Sequence, residues 1–457
     1  MPRFDDLAGK LAPLLGPYLA RQRWYAGAEA PADVRALVFD LRGDDPVIAW
    51  LLVDTLDAGG AVTATYQVVL GGRPLGGQET FLQGKERMTV GAVDGWVFYD
   101  ALVDPELALH VLARVAPDLE AEVARPLVVE QTNSSVVYDE RLILKLFRRV
   151  EPEGNPDAEI TRDLNERGFP HAVPQLADLR LDGTDLAVVR EYLLGSADAW
   201  QLAHTSLRDL LGTPGAPEEA GADFGPEAVA LGEVTARLHL AMADIYGTVP
   251  GDPGAWLAGF RAQLARLPGV RGETRDGPVT ATDLIDVDAV DRVLAQSVAV
   301  DDPGVATRIH GDLHLGQLLL ADTGWFVLDF EGEPARPAIE RPRSMSPLRD
   351  VAGMVRSLHY AARTSLVERR RDVDPEVVAA TEAWEARAVE AFWRGYQGVP
   401  GIEALLPAPG ADREGLLRAF ELDKAVYEVI YELAHRPDWV DIPASGIRRA
   451  LARAASR

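Results

Sequence analysis

The 457-residue sequence is notable first for what it contains little of: it has no cysteine, only eight histidines and a net charge of −25. Without cysteine, neither a disulfide framework nor a thiolate metal site can form. The strong negative charge disfavours nucleic acid and anionic membranes as partners. The N-terminal residues are acidic and resemble no signal peptide, and no apolar run is long enough to span a bilayer. We therefore expect a cytoplasmic protein with no nucleic-acid or membrane partner.

Lysine is also scarce. It occurs only at Lys10, Lys85, Lys145 and Lys424, and the other 42 basic residues are arginine. In a chain so biased toward arginine, a lysine inside an apolar segment indicates a need for a compact ammonium group. Lys145 and Lys424 both lie in such segments, so both are candidates for a functional site.

The most informative motif is Ile-His-Gly-Asp-Leu-His-Leu-Gly-Gln at residues 309–317, followed by Asp-Phe-Glu at 329–331. Two apolar runs, 318–320 and 325–328, flank a turn signal and predict a β-hairpin that brings Gln317 beside Asp329. Amide and carboxylate oxygens suit Mg²⁺, and Asp312 would face an acceptor hydroxyl as a base. The motif therefore predicts a phosphoryl-transfer centre, in which His310 braces the loop by hydrogen bonds.

Two other interpretations of this motif remain open. His-Gly-Asp is compatible with an ordinary polar turn, because glycine and aspartate are common turn formers. His310, Asp312 and His314 also alternate, so on an extended segment they could bind a transition metal, as in a metal-dependent hydrolase. That chemistry calls for further histidine or aspartate clusters, whereas the remaining histidines are scattered.

Lys145 lies in an apolar segment, residues 142–147, that predicts a central strand. We expect it to reach the phosphates of a nucleotide as a point charge. The preceding polar segment would form a loop that offers backbone N–H groups and hydroxyls to phosphate oxygens. Its candidate residues are Gln131, Asn133, Ser134 and Ser135. A helix that starts near Pro156 would place Glu159 where it pairs with Lys145. Taken alone, the loop is equally typical of a plain hairpin.

A strand at 186–194 ends in Gly195 before a helix-capping cluster, as a hinge between a β-rich and an α-rich lobe would. Backbone groups of Glu191, Tyr192 and Leu193 are candidates for hydrogen bonds to adenine.

The segment 422–433 predicts an amphipathic helix with two different faces. One face is an apolar stripe. The other combines aromatic rings with charges at Lys424, Tyr427, Glu428 and Tyr431. Sugar C–H faces rest on aromatic rings and sugar hydroxyls bind charged groups, so this face is a candidate carbohydrate floor. An amphipathic helix with tyrosines at its core boundary would show the same pattern.

The remaining sequence predicts an α+β protein. An N-terminal helix is followed by candidate strands at 34–41, 47–53 and 62–70, and a glycine-rich stretch at 71–84 suggests a boundary. After residue 195 the pattern becomes helical, with a core-facing stripe of apolar residues from Leu231 to Ile245.

At this point the sequence resembles a known family. Residues 22–27, 131–136, 310–317 with 329–334, 346–353 and 422–443 are similar to those of bacterial, actinobacterial-type maltokinases and occur in the same order. The resemblance covers nearly the whole chain. It implies a bilobal eukaryotic protein kinase-like fold, related to aminoglycoside phosphotransferases, with an extra N-terminal cap subdomain. The implied divisions are a cap at 1–88, an intermediate β-rich nucleotide-binding subdomain at 89–195 and an α-helical C-lobe at 196–457.

The resemblance implies ATP-dependent phosphorylation of maltose at its anomeric hydroxyl, which gives maltose 1-phosphate for α-glucan synthesis from trehalose, with trehalose synthase as a partner. Asp312 would be the catalytic base, Gln317 and Asp329 the Mg²⁺ ligands, and Lys145 the phosphate ligand held by Glu159. The substrate contacts would come from His314, Lys424, Tyr427, Glu428 and Tyr431. The oligomeric state is not predicted.

Two departures from the wider kinase superfamily bear on these expectations. Gln317 stands where most members have asparagine, and Glu331 replaces the usual glycine after Asp-Phe, so activation-loop switching is not expected. Two other functions remain open: a related sugar kinase, such as a glucosamine or aminoglycoside kinase, and a non-catalytic sugar- or nucleotide-binding module. An acidic pocket for an amino group would favour the first alternative.

Overall fold

The computed structural model describes residues 6–27, 29–76, 82–127, 132–152, 154–212, 223–333, 344–367 and 374–455. The chain forms two compact units. The first contains Met1–Asn165 and Val173–Leu194, and the second contains Glu166–Ala172 and Gly195–Arg457. The three-part division at residues 88 and 195 stays a prediction.

The first unit begins with a helix packed on an antiparallel sheet. The elements are α1 (Leu7–Leu19), β1 (Asp33–Arg42), β2 (Val47–Leu56), β3 (Val62–Pro74), β4 (Thr89–Val93) and β5 (Trp96–Asp100). The strand order is β1-β2-β3-β5-β4. The three strands expected between residues 34 and 70 are therefore confirmed, each somewhat longer than its apolar pattern. Leu11, Leu15 and Tyr18 of α1 are fully buried beneath the sheet.

A second sheet in this unit carries Lys145. Its elements and neighbours are α2 (Pro105–Val115), β6 (Ala124–Pro126), β7 (Ser134–Tyr138), β8 (Leu142–Leu146), β9 (Arg149–Val150), α3 (Pro156–Glu166), β10 (Gln175–Leu181) and β11 (Thr184–Glu191). The order is β10-β11-β8-β7-β6, so the predicted central strand is confirmed as β8. One hydrophobic cluster joins both sheets to α2 through side chains such as Trp50, Leu112, Leu144 and Val189.

The second unit is mainly helical. Its helices are α4 (Ala199–Gly212), α5 (Gly225–Tyr246), α6 (Pro253–Leu264), α7 (Ala281–Leu284), α8 (Val287–Ser297), α9 (Leu348–Val367), α10 (Pro375–Gly398), α11 (Ala411–His435) and α12 (Asp441–Ala455). Its short strands are β12 (Ala197–Asp198), β13 (Val249–Pro250), β14 (Arg271–Thr274), β15 (Gly277–Thr280), β16 (Val305–Ala306), β17 (Leu318–Ala321) and β18 (Gly324–Val327). The apolar stripe of α5 is buried at Leu231, Val234, Leu238 and Met242, as expected.

Helices α5 and α10 cross at backbone distance because glycine occupies both sides of the crossing. A Cβ atom on Gly232 would lie 2.1 Å from the Phe392 carbonyl oxygen, and one on Gly395 would lie 2.0 Å from the Val229 carbonyl oxygen. No larger residue fits at either position without moving a helix. This close packing fixes two helices that support the catalytic loop described below.

Among the helices that the structure describes, none combines the length and the apolar character needed to cross a bilayer.

Candidate active site

The predicted hairpin is confirmed as β17 and β18. Leu318 pairs with Val327 and Leu320 with Trp325 in an antiparallel ladder. The ladder brings Gln317 and Asp329 together, with 3.4 Å between Gln317 Nε2 and Asp329 Oδ2. The side-chain amide and the carboxylate are therefore neighbours at the end of the hairpin.

The backbone turns sharply at Asp329, which has a φ of 62°. Aspartate is one of the few residues besides glycine that adopt this left-handed conformation readily. The turn directs Phe330 into the interior, where it is buried and its ring centroid lies 4.9 Å from that of His310. The Asp-Phe pair thus attaches the Gln317 and Asp329 end of the hairpin to the His-Gly-Asp loop.

His310 and Asp350 brace the catalytic loop from two directions. His310 Nε2 lies 2.8 Å from the Leu328 carbonyl oxygen. The Asp350 carboxylate accepts the backbone N–H groups of His310 and Gly311, at 2.8 and 2.9 Å. Asp350, in the first turn of α9, therefore braces the loop that carries Asp312.

Asp350 is itself held by a buried pair. His239 Nε2 lies 3.1 Å from Asp350 Oδ2, and His239 Nδ1 lies 2.8 Å from the Tyr396 hydroxyl. Burial acts to raise the pKa of Asp350, but the hydrogen bond and charge of His239, the charge of His310 and the backbone donor of Gly311 outweigh it and keep this pKa below its usual value. The loop therefore rests on an ionised carboxylate inside the helical core.

Asp312, the candidate base, lies against Lys424 of α11. Lys424 Nζ donates to Asp312 Oδ1 at 2.7 Å and to Glu333 Oε1 at 2.9 Å. Burial acts to lower the pKa of Lys424, but the charges of Asp312 and Glu333 dominate and raise it well above its usual value. Lys424 is therefore a permanent cation beside the base.

A second cation continues this network. Arg349 donates to Glu333 Oε2 at 2.9 Å and to Asp423 Oδ2 at 3.2 Å. Gln263 fixes Asp423 through bonds to its side chain and to its carbonyl oxygen, at 2.8 and 2.7 Å. Each of these buried charges thus has an opposite charge within hydrogen-bonding distance, as low-polarity surroundings require.

His314, a predicted substrate contact, has a clear local role. Its Nδ1 accepts the Gly316 N–H at 3.0 Å and caps the one-turn helix Leu315–Gln317. Burial lowers the pKa of His314 more than the nearby charge of Asp312 raises it. The ring is therefore neutral at neutral pH, and its sugar contact stays a prediction.

The predicted carbohydrate face of α11 is paired with α9. Arg356 binds the Glu428 carboxylate through Nε and Nη2, with Nε at 3.2 Å from Oε2. The rings of Tyr427 and Tyr431 stack at a centroid distance of 6.4 Å. Lys424 Nζ lies 4.8 Å from the centroid of Tyr427, a cation–π contact. Sugar binding by Lys424, Tyr427, Glu428 and Tyr431 stays a prediction.

In the first unit, the carboxylate found beside Lys145 is Asp157. Lys145 Nζ lies 3.0 Å from Asp157 Oδ2, and Arg190 Nη1 lies 3.1 Å from the same oxygen. Burial acts to raise the pKa of Asp157, but the charges of Arg190 and Lys145 lower it far below its usual value. Asp157 thus takes the role expected of its neighbour, and the pairing of Glu159 with Lys145 stays a prediction.

The proposed phosphate loop is shorter than the sequence suggested. Ser134 and Ser135 belong to strand β7, where Ser135 pairs with Lys145, so the expectation of loop residues at these two positions is wrong. Strand β7 reads Ser-Ser-Val-Val-Tyr, and its β-branched and aromatic residues favour a strand. Ser134 Oγ accepts Arg148 Nε at 2.8 Å, and Asn133 donates to Thr132 Oγ1 at 3.3 Å. Gln131 lies outside the described residues.

At the predicted hinge, the backbone N–H groups of Glu191 and Tyr192 already have hydrogen-bond acceptors within the first unit. The Glu191 N–H donates to the Pro174 carbonyl oxygen at 3.1 Å, and the Tyr192 N–H donates to that of Arg141 at 2.9 Å. Neither amide is therefore the donor for an adenine ring. Adenine binding by 191–193, including Leu193, stays a prediction.

Several residues of the site were not found from the sequence: Asp157, Glu333, Arg356 and Asp423. Glu333 had a signal, because it follows the Asp-Phe-Glu motif by two residues. Arg356 and Asp423 had none, since charged residues on amphipathic helices usually face solvent.

Comparison with known proteins agrees with this geometry. Residues 124–405 match the family described as "Phosphotransferase enzyme family", and residues 18–104 match "Maltokinase N-terminal cap domain". The chain belongs to the phosphotransferase enzyme family. Its N-terminal segment is a cap of the maltokinase type, which confirms the resemblance seen in the sequence.

Two relatives are glucosamine kinases. The one from Streptacidiphilus jiangxiensis is 33% identical over 333 residues, which cover 70% of this chain and 71% of the relative. The one from Mycolicibacterium smegmatis is 27% identical over 335 residues, which cover 72% and 79%.

Solved structures confirm the mixed helix-and-sheet phosphotransferase fold. A glucosamine kinase in crystal form B superposes with a TM-score of 0.69 over 98% of this chain and 100% of that chain, at 23% identity. A glucosamine kinase in complex with glucosamine, ADP and inorganic phosphate gives 0.64 over 96% and 98%, at 24% identity.

Proposed function

We propose that this phosphotransferase is a sugar kinase that transfers the γ-phosphoryl group of ATP to the anomeric hydroxyl of maltose, giving maltose 1-phosphate and ADP. The observation that carries the proposal is the contact between Asp312 and Lys424. It attaches the aromatic and charged face of α11 directly to the candidate base, in a chain whose cap is of the maltokinase type. An acceptor resting on Tyr427 and Tyr431 would then lie next to that base.

Asp312 acts as the base in this proposal. Lys424 holds Oδ1, so Oδ2 is the oxygen that receives the hydrogen bond of the acceptor hydroxyl and then its proton. The anomeric hydroxyl is the most acidic hydroxyl of a reducing sugar, because the ring oxygen withdraws electrons from the same carbon. A base already engaged with a cation is suited to such an acceptor.

The nucleotide is proposed to bind through Lys145, whose ammonium group is oriented by Asp157. Asn133 immediately precedes β7, whose Ser135 pairs with Lys145 in the ladder, so we propose that its amide contacts the same phosphates. Arg190 shares the Asp157 carboxylate, so Lys145 is held by only part of that charge and keeps attraction for phosphate oxygens.

Gln317 and Asp329 fit a Mg²⁺ ion. Both supply hard oxygen donors, and their side chains approach to 3.4 Å across the hairpin. A bound Mg²⁺ would neutralise charge on the phosphates during transfer. The protein residues contribute the fixed geometry: β17 and β18 hold the two side chains, and the left-handed turn at Asp329 orients its carboxylate.

The test is a coupled assay of ADP release with maltose, glucose, glucosamine and kanamycin as acceptors, with product analysis for free reducing ends. We expect maltose to give the highest kcat/KM and a product without a free reducing end. ADP release that does not depend on a sugar, or a phosphorylated maltose that still reduces, would contradict the proposal. Supply of maltose by a trehalose synthase, and use of the product for α-glucan synthesis, are part of the same proposal.

A glucosamine kinase is the second candidate, favoured by the names of the two relatives at 33% and 27% identity. The same assay separates the two functions, because that candidate requires the highest kcat/KM with glucosamine.

A further inference from the structure

We propose that Arg356 determines acceptor selectivity by cancelling the charge of Glu428, so that the site takes neutral sugars and discriminates against amino sugars. The inference rests on the proposed function in one respect, namely that the α11 face carrying Glu428 binds the acceptor. It adds a residue from another helix, α9, and a specific reason for the choice of sugar.

The pair is held tightly and is largely buried within the helical unit. The side chains of Arg356 and Glu428 are 8% and 12% exposed, and Nε and Nη2 of the guanidinium both contact the carboxylate. The fork of Arg356 therefore contacts Glu428 side on. Within the part of the chain that the structure describes, Glu428 Oε1 has only the longer Nε contact, at 3.3 Å, and keeps capacity for a hydroxyl donor.

Arg356 has little freedom to leave this position. A Cβ atom on Gly446 of α12 would lie 2.5 Å from Arg356 Nη1, so the helix backbone directly backs the guanidinium. Burial acts to lower the pKa of Arg356, but the charge of Glu428 and the hydrogen bond to it raise this pKa above its usual value. The ion pair is thus built into the packing of α9, α11 and α12.

The charged residues before and after Glu428 along α11 also form ion pairs. Positions 424, 428 and 432 of α11 recur every four residues and so share one side of the helix, with about 6 Å of rise between successive members, and Arg436 follows directly after the last helical residue. Along this face Lys424 binds Asp312, Arg356 binds Glu428 and Arg436 binds Glu432 at 2.7 Å. Each carboxylate in this row has a cation as its partner.

This arrangement distinguishes between two kinds of acceptor. Glucosamine carries an ammonium group at neutral pH, and a site that recognises it needs a carboxylate whose charge is not already neutralised. A sugar hydroxyl needs only an acceptor oxygen, which a paired carboxylate still provides. The row on α11 meets the second requirement.

The experiment compares kcat/KM for maltose, glucose and glucosamine in four variants: Arg356→Met, Arg356→Lys, Glu428→Gln and the double substitution. Arg363→Met is the matched control, because Arg363 lies on the same helix and pairs with Glu382 on α10 instead. Arg356→Met uncovers the Glu428 charge and should raise the glucosamine-to-glucose ratio of kcat/KM about tenfold, the effect of one charge-assisted hydrogen bond. Arg356→Lys should keep the ratio near that of the unmodified protein.

Glu428→Gln supplies a readout that does not depend on folding of the Arg356→Met variant. It retains an acceptor oxygen but leaves Arg356 uncompensated, so the ratio should fall, KM for maltose should rise and KM for ATP should stay unchanged. The double substitution should return the ratio toward its starting value. If neither Glu428→Gln nor a folded Arg356→Met variant moves the ratio beyond the Arg363→Met control, the inference is wrong, whereas absence of sugar-dependent turnover in the unmodified protein refutes the proposed function itself.

Discussion

Lys424 Nζ lies 2.7 Å from Asp312 Oδ1, although 112 residues separate them in the chain. The contact joins the loop that carries the candidate base to the helix that carries the candidate sugar floor. Since Glu333 shares the same ammonium group at 2.9 Å, a single lysine forms ion pairs with two carboxylates at the site. A kinase built in this way depends on one buried cation for both stability and chemistry.

Replacing Lys424 with methionine should therefore lower both the stability of the protein and its rate of phosphoryl transfer. Glu333 is buried and would keep only Arg349 as a cationic partner, while Asp312 would lose its ion pair with Lys424; we expect this to cost about 3 kcal/mol in the free energy of unfolding. We also expect kcat to fall at least tenfold, with KM for ATP unchanged. The double variant Lys424→Met with Glu333→Gln should regain stability in urea unfolding without regaining kcat. Lys10→Met removes an exposed pair and serves as control; recovery of full kcat in the double variant would contradict a catalytic role for Lys424.

The substitution Asp312→Asn should abolish most phosphoryl transfer and leave ATP binding intact. An amide cannot accept the acceptor proton, and general-base catalysis contributes roughly 100-fold to 10,000-fold in rate. Steady-state kinetics and nucleotide titration give the two readouts. Asp322→Asn, at the exposed turn of the same hairpin, should behave like the unmodified protein. Near-normal kcat for Asp312→Asn would remove Asp312 from the role of base.

Asp350→Asn should weaken the catalytic loop through its backbone. An asparagine has one acceptor oxygen, so one of the two N–H groups at His310 and Gly311 would lose its partner in a buried place. We expect a loss of about 3 kcal/mol in the free energy of unfolding, together with reduced kcat. Denaturant unfolding measures the first quantity, with the exposed Asp276→Asn as reference. A stability equal to that of the reference would show that the loop does not depend on Asp350.

Acid should destabilise the protein through His359. Burial, together with the charges of Arg356 and Arg449, lowers the pKa of His359 to about 4, although its hydrogen bond to Glu385 acts in the opposite direction. In the unfolded chain this group titrates near pH 6.5, so unfolding takes up a proton in the interval between these values. The stability from neutral His359 is complete above pH 6.5, falls below it and is lost under pH 4.

For that group alone, the free energy of unfolding should decrease by about 2 kcal/mol between pH 7 and pH 5. Urea unfolding at the two pH values measures the change, and His359→Asn should show a smaller one. Equal pH dependence in both proteins would mean that His359 is not the responsible group.

Removal of divalent cations should stop turnover, and Mg²⁺ should restore it. Asp329→Asn weakens one of the two proposed oxygen ligands, so the Mg²⁺ concentration for half-maximal rate should rise tenfold or more, while Asp322→Asn leaves it unchanged. A titration of initial rate against Mg²⁺ at saturating ATP gives both values. An unchanged requirement in Asp329→Asn would exclude this residue as a metal ligand.

The parts of the site that the sequence predicted are those encoded by local patterns. The hairpin follows from two apolar runs and a turn, and β8 follows from a short apolar run. The secondary structure around Gln317, Asp329 and Lys145 was therefore predicted correctly. Long-range contacts follow no such pattern. Amphipathicity predicted that Lys424 and Glu428 share a face of α11, but nothing local shows that Asp312 and Arg356 are their partners.

The bounds and orientation of an element are a second feature that local patterns do not fix. Asp157 and Glu159 lie two residues apart, about 200° around a helix, so they point in nearly opposite directions. Only the true start and orientation of α3 decide which one is buried, and the structure buries Asp157. Ser134 and Ser135 were likewise assigned to a loop because serine is frequent in turns, whereas the ladder with β8 incorporates both.

Because lysine is so scarce, chemical labelling of lysine side chains can report on the candidate site. Lys10 is exposed to 42% and Lys85 lies on the surface, whereas Lys145 and Lys424 are 14% and 15% exposed and each is clamped by carboxylates. An amine-reactive acylating compound would thus mark the first two quickly and the other two slowly. If the proposed roles are right, peptide mass mapping of that slow labelling would show protection of Lys145 by nucleotide and of Lys424 by sugar, each without any engineered probe.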